Sequence, residues 1–200
     1  MTGQYDAVKL KVKESNVQEF VQSLQAGFYL KSPVGISVMK FLTDICGVSD
    51  DYIAENVKTV FINHKPADKL NEISIAPEMT CALSGAMPGL VGAMMRMGSF
   101  YSVLREGITF QNLEAAETGE ETLVKLKLFN RVLNDKGPEL LLKGIYADKK
   151  VFLDNLNVYI NNKNIEEMEI NEKKIENIIF PDSAFEILSD IVYYKIEIKT

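Results

Sequence analysis

The chain has 200 residues, 46% of them hydrophobic, with ten Phe and eight Tyr but no Trp, which is enough to bury one large core or two small ones. Its 22 basic residues are scattered among 28 acids for a net charge of −6, a surface that repels phosphate backbones and excludes nucleic acid as a partner class. Cys46 and Cys81 have neither C-x-x-C spacing nor a histidine nearby in sequence, which predicts two reduced thiols in a cytoplasmic protein, with no metal and no cofactor.

The start, MTGQYDAVKLKVK, has no basic region followed by an apolar run, so no secretory leader is expected. Within it Val8, Leu10 and Val12 alternate with lysines, the period of a half-buried strand. Asn16 then caps a predicted helix whose apolar residues, Val17, Phe20, Val21 and Leu24, recur at helical spacing. A second helix is predicted over GISVMKFLTDIC, where Ile36, Met39, Phe41, Leu42 and Ile45 form a broad apolar face. In SDDYIAENV, Ser49 is the expected cap, and Asp50 and Asp51 occupy the first turn, where the helix dipole favours acids. A strand from about Lys58 to Ile62 comes next and ends in the polar turn NHKPAD, which holds the only histidine, His64. Strand-like residues 79–83 lead into CALSGAMPGLVGAMMRMGSF; from 79 to 105 the only charges are Arg96 and Arg105. Gly85, Pro88, Gly89 and Gly92 interrupt this run, so a buried turn and helix is expected here and no membrane span.

The helix, the strand and turn TVFINHKPADKL and the stretch ISIAPEMTCALSGAMPG, together about residues 36–89, resemble the second half of the β-grasp sulfur carriers, the family of the molybdopterin synthase small subunit and the thiamine sulfur carrier. The resemblance implies a β-grasp, ubiquitin-like fold. In that family the final strand delivers a terminal Gly-Gly whose carboxylate is adenylated and thiolated. This chain runs on far past Gly85, so the fold is carried over and the sulfur-carrier activity is not.

The chain also resembles itself. Residues 8–12, VKLKV, recur as VKLKL at 124–128, and VFINHK at 60–65 recurs as VYINNK at 158–163 in the same order. Downstream of each Asn turn an apolar strand is expected, at 79–83 and at 178–180, then a proline, a helix and a last strand, GITF at 107–110 and YYKIEIK at 193–199. The predicted fold class is therefore α+β: two tandem β-grasp-like halves, residues 1–112 and 121–200, from a degenerate internal duplication, packed as a pseudo-dimer in one compact unit. The acidic QNLEAAETGEET at 111–122 joins them, and its Glu114, Glu117, Glu120 and Glu121 read as a solvated linker. Glu166, Glu167 and Glu169 likewise read as an exposed face and not a metal cluster.

Glycines near residue 88 belong to the first half only, which singles that segment out. Pro88 is predicted at the first helical position. Met87 would then be the cap, with no side-chain acceptor for the N–H groups of Gly89, Leu90 and Val91. Their partner is Ser84, a carbonyl, water or an anion drawn by the helix dipole. Gly85, Gly89 and Gly92 leave room for a second backbone, and Met87, Met94, Met95 and Met97 make an adaptable apolar surface. The expected function is non-catalytic binding or assembly through residues 84–97, most simply self-association into a homo-oligomer. The alternative is a small binding protein or enzyme holding a carboxylate, phosphate or thioester at residues 85–89, with Arg96 or Arg105 balancing its charge. No catalytic signature stands out: neither a P-loop nor G-x-G-x-x-G after a strand is present. Cys81 and His64 are secondary candidates, read first as an inert buried thiol and an exposed turn residue.

Overall fold

The protein is described in a computed structural model over residues 5–111, 119–175, 183–186 and 188–199. The expected strand at 178–180 and the linker acids Glu114 and Glu117 lie outside the described residues.

In chain order the elements are β1 (Asp6–Val12), α1 (Val17–Val21) running on as a 3-10 helix (Gln22–Ala26), β2 (Phe28–Pro33), α2 (Val38–Lys40) widening into a π-helical turn (Phe41–Ile45), α3 (Asp50–Asn56), β3 (Thr59–Ile62), β4 (Lys65–Ala67), β5 (Thr80–Ser84), α4 (Gly89–Met95) and a 3-10 helix (Phe100–Ile108). Then come β6 (Glu121–Phe129), α5 (Asn130–Lys143), β7 (Ile145–Asp148), α6 (Lys149–Asn161), β8 (Glu167–Ile170), β9 (Lys173–Ile175), α7 (Ser183–Glu186) and β10 (Ile191–Ile198). The fold is α+β. As expected, Ser49 caps α3, its hydroxyl accepting from the Tyr52 N–H at 3.3 Å. The β3–β4 hairpin turns on Asn63 and His64, both with positive φ, 47° and 67°.

The chain divides into two compact units, one continuous (Tyr29–Lys136) and one discontinuous (Met1–Phe28 with Gly137–Thr200). In the continuous unit the strand order is β4-β3-β5-β6-β2, with β5 and β6 parallel and β3 antiparallel to both β4 and β5. Its core holds Val60, Ile62, Cys81, Leu83, Leu126, Leu128, Phe41 and Leu42, each 0% exposed. In the discontinuous unit the order is β7-β10-β1-β8-β9, with β1 and β10 parallel and the other pairings antiparallel. There Val8, Leu10, Val12, Met168, Val192 and Ile196 are buried with Phe20, Val21 and Leu24 of the first helix and its extension. Gly137 lets α5 approach that helix, because a Cβ there would lie 2.8 Å from Val21 Cγ1. The outer face of β1 is a charge lattice. Lys11 meets Glu167 at 3.4 Å, Lys174 meets Glu167 at 3.2 Å and Lys199 meets Glu166 at 2.8 Å. Hydrogen bonds from Lys199 and Lys174 hold the Glu166 and Glu167 carboxyls below the usual carboxylate range.

Both parallel pairs exchange strands between the expected halves. β1 comes from residues 1–112 yet pairs with β10 and β8, while β6 comes from 121–200 yet pairs with β5. The compact units are thus cut differently from the sequence halves. Two local expectations are corrected. Residues 158–160, read as a strand leading to an Asn turn, are the end of helix α6, whose Phe152, Leu156 and Tyr159 are buried at i, i+4 and i+7; Tyr159 packs on Phe20 with ring centroids 4.0 Å apart. Residues 107–110, read as a strand, are the end of the 3-10 helix and the two residues after it, drawn in by the buried Arg105.

Candidate functional site

The glycine-rich segment begins where β5 ends. Ser84 is 6% exposed, and its hydroxyl donates to the Ala86 carbonyl at 3.2 Å while accepting from the Asn130 amide at 3.1 Å. The same amide donates to the Ala86 carbonyl at 2.7 Å, so Asn130, at the start of α5, pins the loop from the other side. Sequence reasoning did not find Asn130. Its positive φ of 55° at the β6–α5 junction is a structural signal only. Gly85 fits tightly here, since a Cβ would sit 3.2 Å from both Arg131 Cβ and the Asn56 carbonyl oxygen.

Pro88 and Gly89 form the expected strand-to-helix junction, but one residue later than predicted. Pro88 is the cap, in extended conformation, and Gly89 is the first residue of α4 with φ +75°. The physical reason is that a positive φ at the helix start is open to glycine and closed to proline. Met87 is therefore not the cap. Pro88, Gly89 and Leu90 are exposed, so water reaches the first turn and no ligand is needed to satisfy its donors. The close backbone contact sought in the glycine pattern is internal and belongs to Gly92: a Cβ there would overlap the Met87 carbonyl.

Beyond α4, residues 94–109 are organised by Arg105. Its side chain is fully buried, and the guanidinium donates to the Met94 carbonyl at 2.6 Å, Thr109 Oγ1 at 3.0 Å, Asp68 Oδ1 at 2.8 Å and the Arg96 carbonyl at 3.3 Å. A cation with all its nitrogens spent on protein acceptors does not serve a surface ligand, so its role is to fold this segment back on Asp68. Arg96, by contrast, is exposed, and with Met97 it lines a cleft against α3.

This folding leaves an apolar surface. Leu90 is 68% exposed and Val91 60%, and the 3-10 helix packed on α4 adds Phe100 at 89%, Val103 at 72%, Leu104 at 69% and Ile108 at 52%. The only charge on the exposed face of that helix is Glu106. Leu90 and Val91 of this row fall within the expected 84–97 segment, and the row continues through residues 100–108, which the sequence expectation did not include. The available signal was helical spacing of Phe100, Val103, Leu104 and Ile108 in SFYSVLREGITF, read instead as a strand at its end.

Cys81 lies in β5 opposite Ile62 and is 0% exposed; burial pushes its thiol up to about 12, the opposite of nucleophile activation. His64 sits in the exposed hairpin turn, next to the Thr80 end of β5, whereas the glycine junction comes after the Ser84 end, so the structure does not bring His64 to the glycine-rich candidates. Among the described residues no group of His, Cys, Asp and Glu side chains could hold a metal ion, and no helix is long and apolar enough to cross a membrane. In comparison with known proteins the chain matches no family model, no curated protein and no solved structure.

Proposed function

We propose that the chain is a non-catalytic binding and assembly protein that associates with a second copy of itself through α4 and the 3-10 helix after it. The observation that carries this reading is the exposed row of Leu90, Val91, Phe100, Val103, Leu104 and Ile108. Together these side chains present on the order of several hundred Å² of apolar surface, the scale at which a patch marks an interaction site. A nearly uncharged patch suits an isologous contact, because a two-fold axis sets the same patch of both copies together and so juxtaposes few like charges. A strongly charged partner would find little to pair with.

The same proposal includes the β-grasp-like reading of each unit and their origin in a duplication. It is supported by the common strand pattern: a central parallel pair, β5 with β6 and β1 with β10, each flanked by an antiparallel strand, β3 and β8, that carries a further short one, β4 and β9. VKLKV and VKLKL, the recurring strands, are the two that the halves exchange, which supports duplication followed by strand exchange. Cys46 and Cys81, both buried and not joined in a disulfide, support a cytoplasmic location.

The test is mass by sedimentation equilibrium for wild type, Val103→Asp and Leu104→Asp. Both side chains are mostly in water, so the substitutions leave folding intact. A wild-type dimer that becomes monomeric in both variants, with unchanged melting, supports the proposal. A wild type that is monomeric at about 100 μM, well above a micromolar dissociation constant, overturns it.

A further inference from the structure

A second feature, separate from the apolar row, is a cleft of about 600 Å³ within the continuous unit, between α3, the 68–72 loop and the 96–98 turn. That volume is in the range of small-molecule sites. Its apolar wall comprises Met39, Ile53, Val57, Leu70 and Met97. Of the charged groups at its edge, two pairs are already matched: Lys69 with Glu72 at 2.9 Å and Asp68 with Arg105 at 2.8 Å. Lys58 and Arg96 remain. The Lys58 ammonium donates to the Ala54 carbonyl in the last turn of α3 at 3.1 Å and has no carboxylate partner among the described residues. Arg96 is exposed, and its guanidinium has no hydrogen bond or ion pair among the described residues. The Met97 N–H bonds the Lys58 carbonyl at 2.8 Å, so the backbone carrying one cation is tied to the backbone carrying the other.

We infer that this cleft binds an amphipathic carboxylate, its head between Lys58 and Arg96 and its hydrocarbon or aryl body along Met39, Ile53 and Met97. Two unmatched cations beside apolar walls attract an anion even in a chain of net charge −6, because the local field outweighs distant, screened charges. The planar fork of arginine matches a carboxylate with two parallel hydrogen bonds, and a lysine beside it adds a second donor. The apolar wall sets the class: an inorganic anion would leave it wet, and a purely apolar ligand would cover the two cations without pairing them. Neither Lys58 nor the cleft floor takes part in the apolar row, so this site does not depend on self-association.

The probe is octanoate, with octylammonium and octanol as charge controls, titrated into protein labelled at the methionine methyls and monitored by NMR. Saturable shifts of the Met39 and Met97 methyls with octanoate alone are expected, weakened at least tenfold in Lys58→Glu and in Arg96→Glu and retained in Leu104→Asp. Equal shifts with octylammonium or octanol overturn the assignment of the cations. Shifts that survive Lys58→Glu and Arg96→Glu but vanish in Leu104→Asp overturn the site itself, since the chain then sits on the exposed row. Absence of any saturable shift with octanoate overturns the proposal outright, whatever the mass of the protein in solution.

Discussion

Arg105→Met removes the pin of the 94–109 fold, and the structure permits its cost to be worked out acceptor by acceptor. The Arg96 carbonyl keeps the Ser99 N–H at 3.3 Å, and Thr109 Oγ1 keeps its own bond to the Arg105 carbonyl at 3.1 Å. Asp68 keeps the Gly98 N–H at 3.4 Å and is 28% exposed, so water takes over much of its charge. The Met94 carbonyl loses its side-chain donor altogether. An orphaned carbonyl costs about 1–3 kcal/mol, and losing one charge-assisted bond to a wettable carboxylate adds about 1 kcal/mol. Methionine refills most of the volume, so the total is about 2–3 kcal/mol, below the 3–5 kcal/mol typical of a fully buried pair broken on one side. For a chain of this size that is a fall in melting temperature of about 5–10 °C. Differential scanning calorimetry of wild type, Arg105→Met and Arg105→Lys measures it, with the lysine variant falling between the other two. Should two transitions be resolved, only the one belonging to residues 29–136 moves. A methionine variant melting within about 1 °C of wild type refutes the reasoning, as does a shift confined to the other transition.

Gly92→Ala places a Cβ on the Met87 carbonyl and is expected to destabilise by about 2 kcal/mol or more, whereas Gly89→Ala, with open space around it, incurs only the left-handed backbone strain of about 1 kcal/mol; chemical denaturation compares them, and equal midpoints would contradict the assignment of the tight contact to Gly92. Both thiols are buried, and that of Cys81 is raised to about 12, so Ellman's reagent should find neither in the native protein at about pH 8 and both once guanidinium unfolds it; rapid native labelling at Cys81 would show that β5 opens. The Asp6 carboxylate accepts from the Asn171 amide at 2.7 Å and the Ser189 N–H at 2.6 Å, and these bonds, the first above all, hold its pKa below the ordinary value. A lowered folded-state pKa contributes stability above the unfolded value of about 3.9 and loses it as pH falls through the folded one. Wild type should therefore exceed Asp6→Asn in melting temperature at about pH 6, and the gap should close in acid. A gap independent of pH disproves the linkage.

What could be read from the sequence was whatever carried a strong local period or cap. β1 and β10 alternate cleanly because one face of each meets a core and the other meets water, and Ser49 with two acids behind it leaves little choice but a helix start. The Pro88–Gly89 junction was legible for the same reason, since both residues restrict the backbone by themselves. β8 and β9 are short and charged, EMEI and KKI; β8 is a strand because β1 and its lysines lie alongside, and β9 because it pairs with β8, causes outside their own residues. Residues 158–160 are apolar in succession, which suits strand and buried helix alike; only contact with Phe20, far away in sequence, decides for the helix. In the candidate site, Arg105 looked like a free charge because nothing local announces that its partner is Asp68. Once it is taken inside, the apolar residues beside it are turned outward, which is why composition alone suggested core.

The pairing of β1 with β10 also sets an order of events during synthesis. The strand at residues 6–12 is made before the other strands, yet its parallel partner, at 191–198, is made after all of them, and β8 only shortly before that partner. The continuous unit, residues 29–136, can close while β1 still waits. For that interval Val8, Leu10 and Val12 have no core to enter and both edges of the strand are open, the circumstance in which strands from neighbouring chains adhere. The interleaved Lys9, Lys11 and Lys13, which in the finished protein meet Glu169, Glu167 and Glu166, confer like charge on every waiting copy. They act first as gatekeepers that keep nascent chains apart, and only afterwards as one side of a salt-bridge lattice.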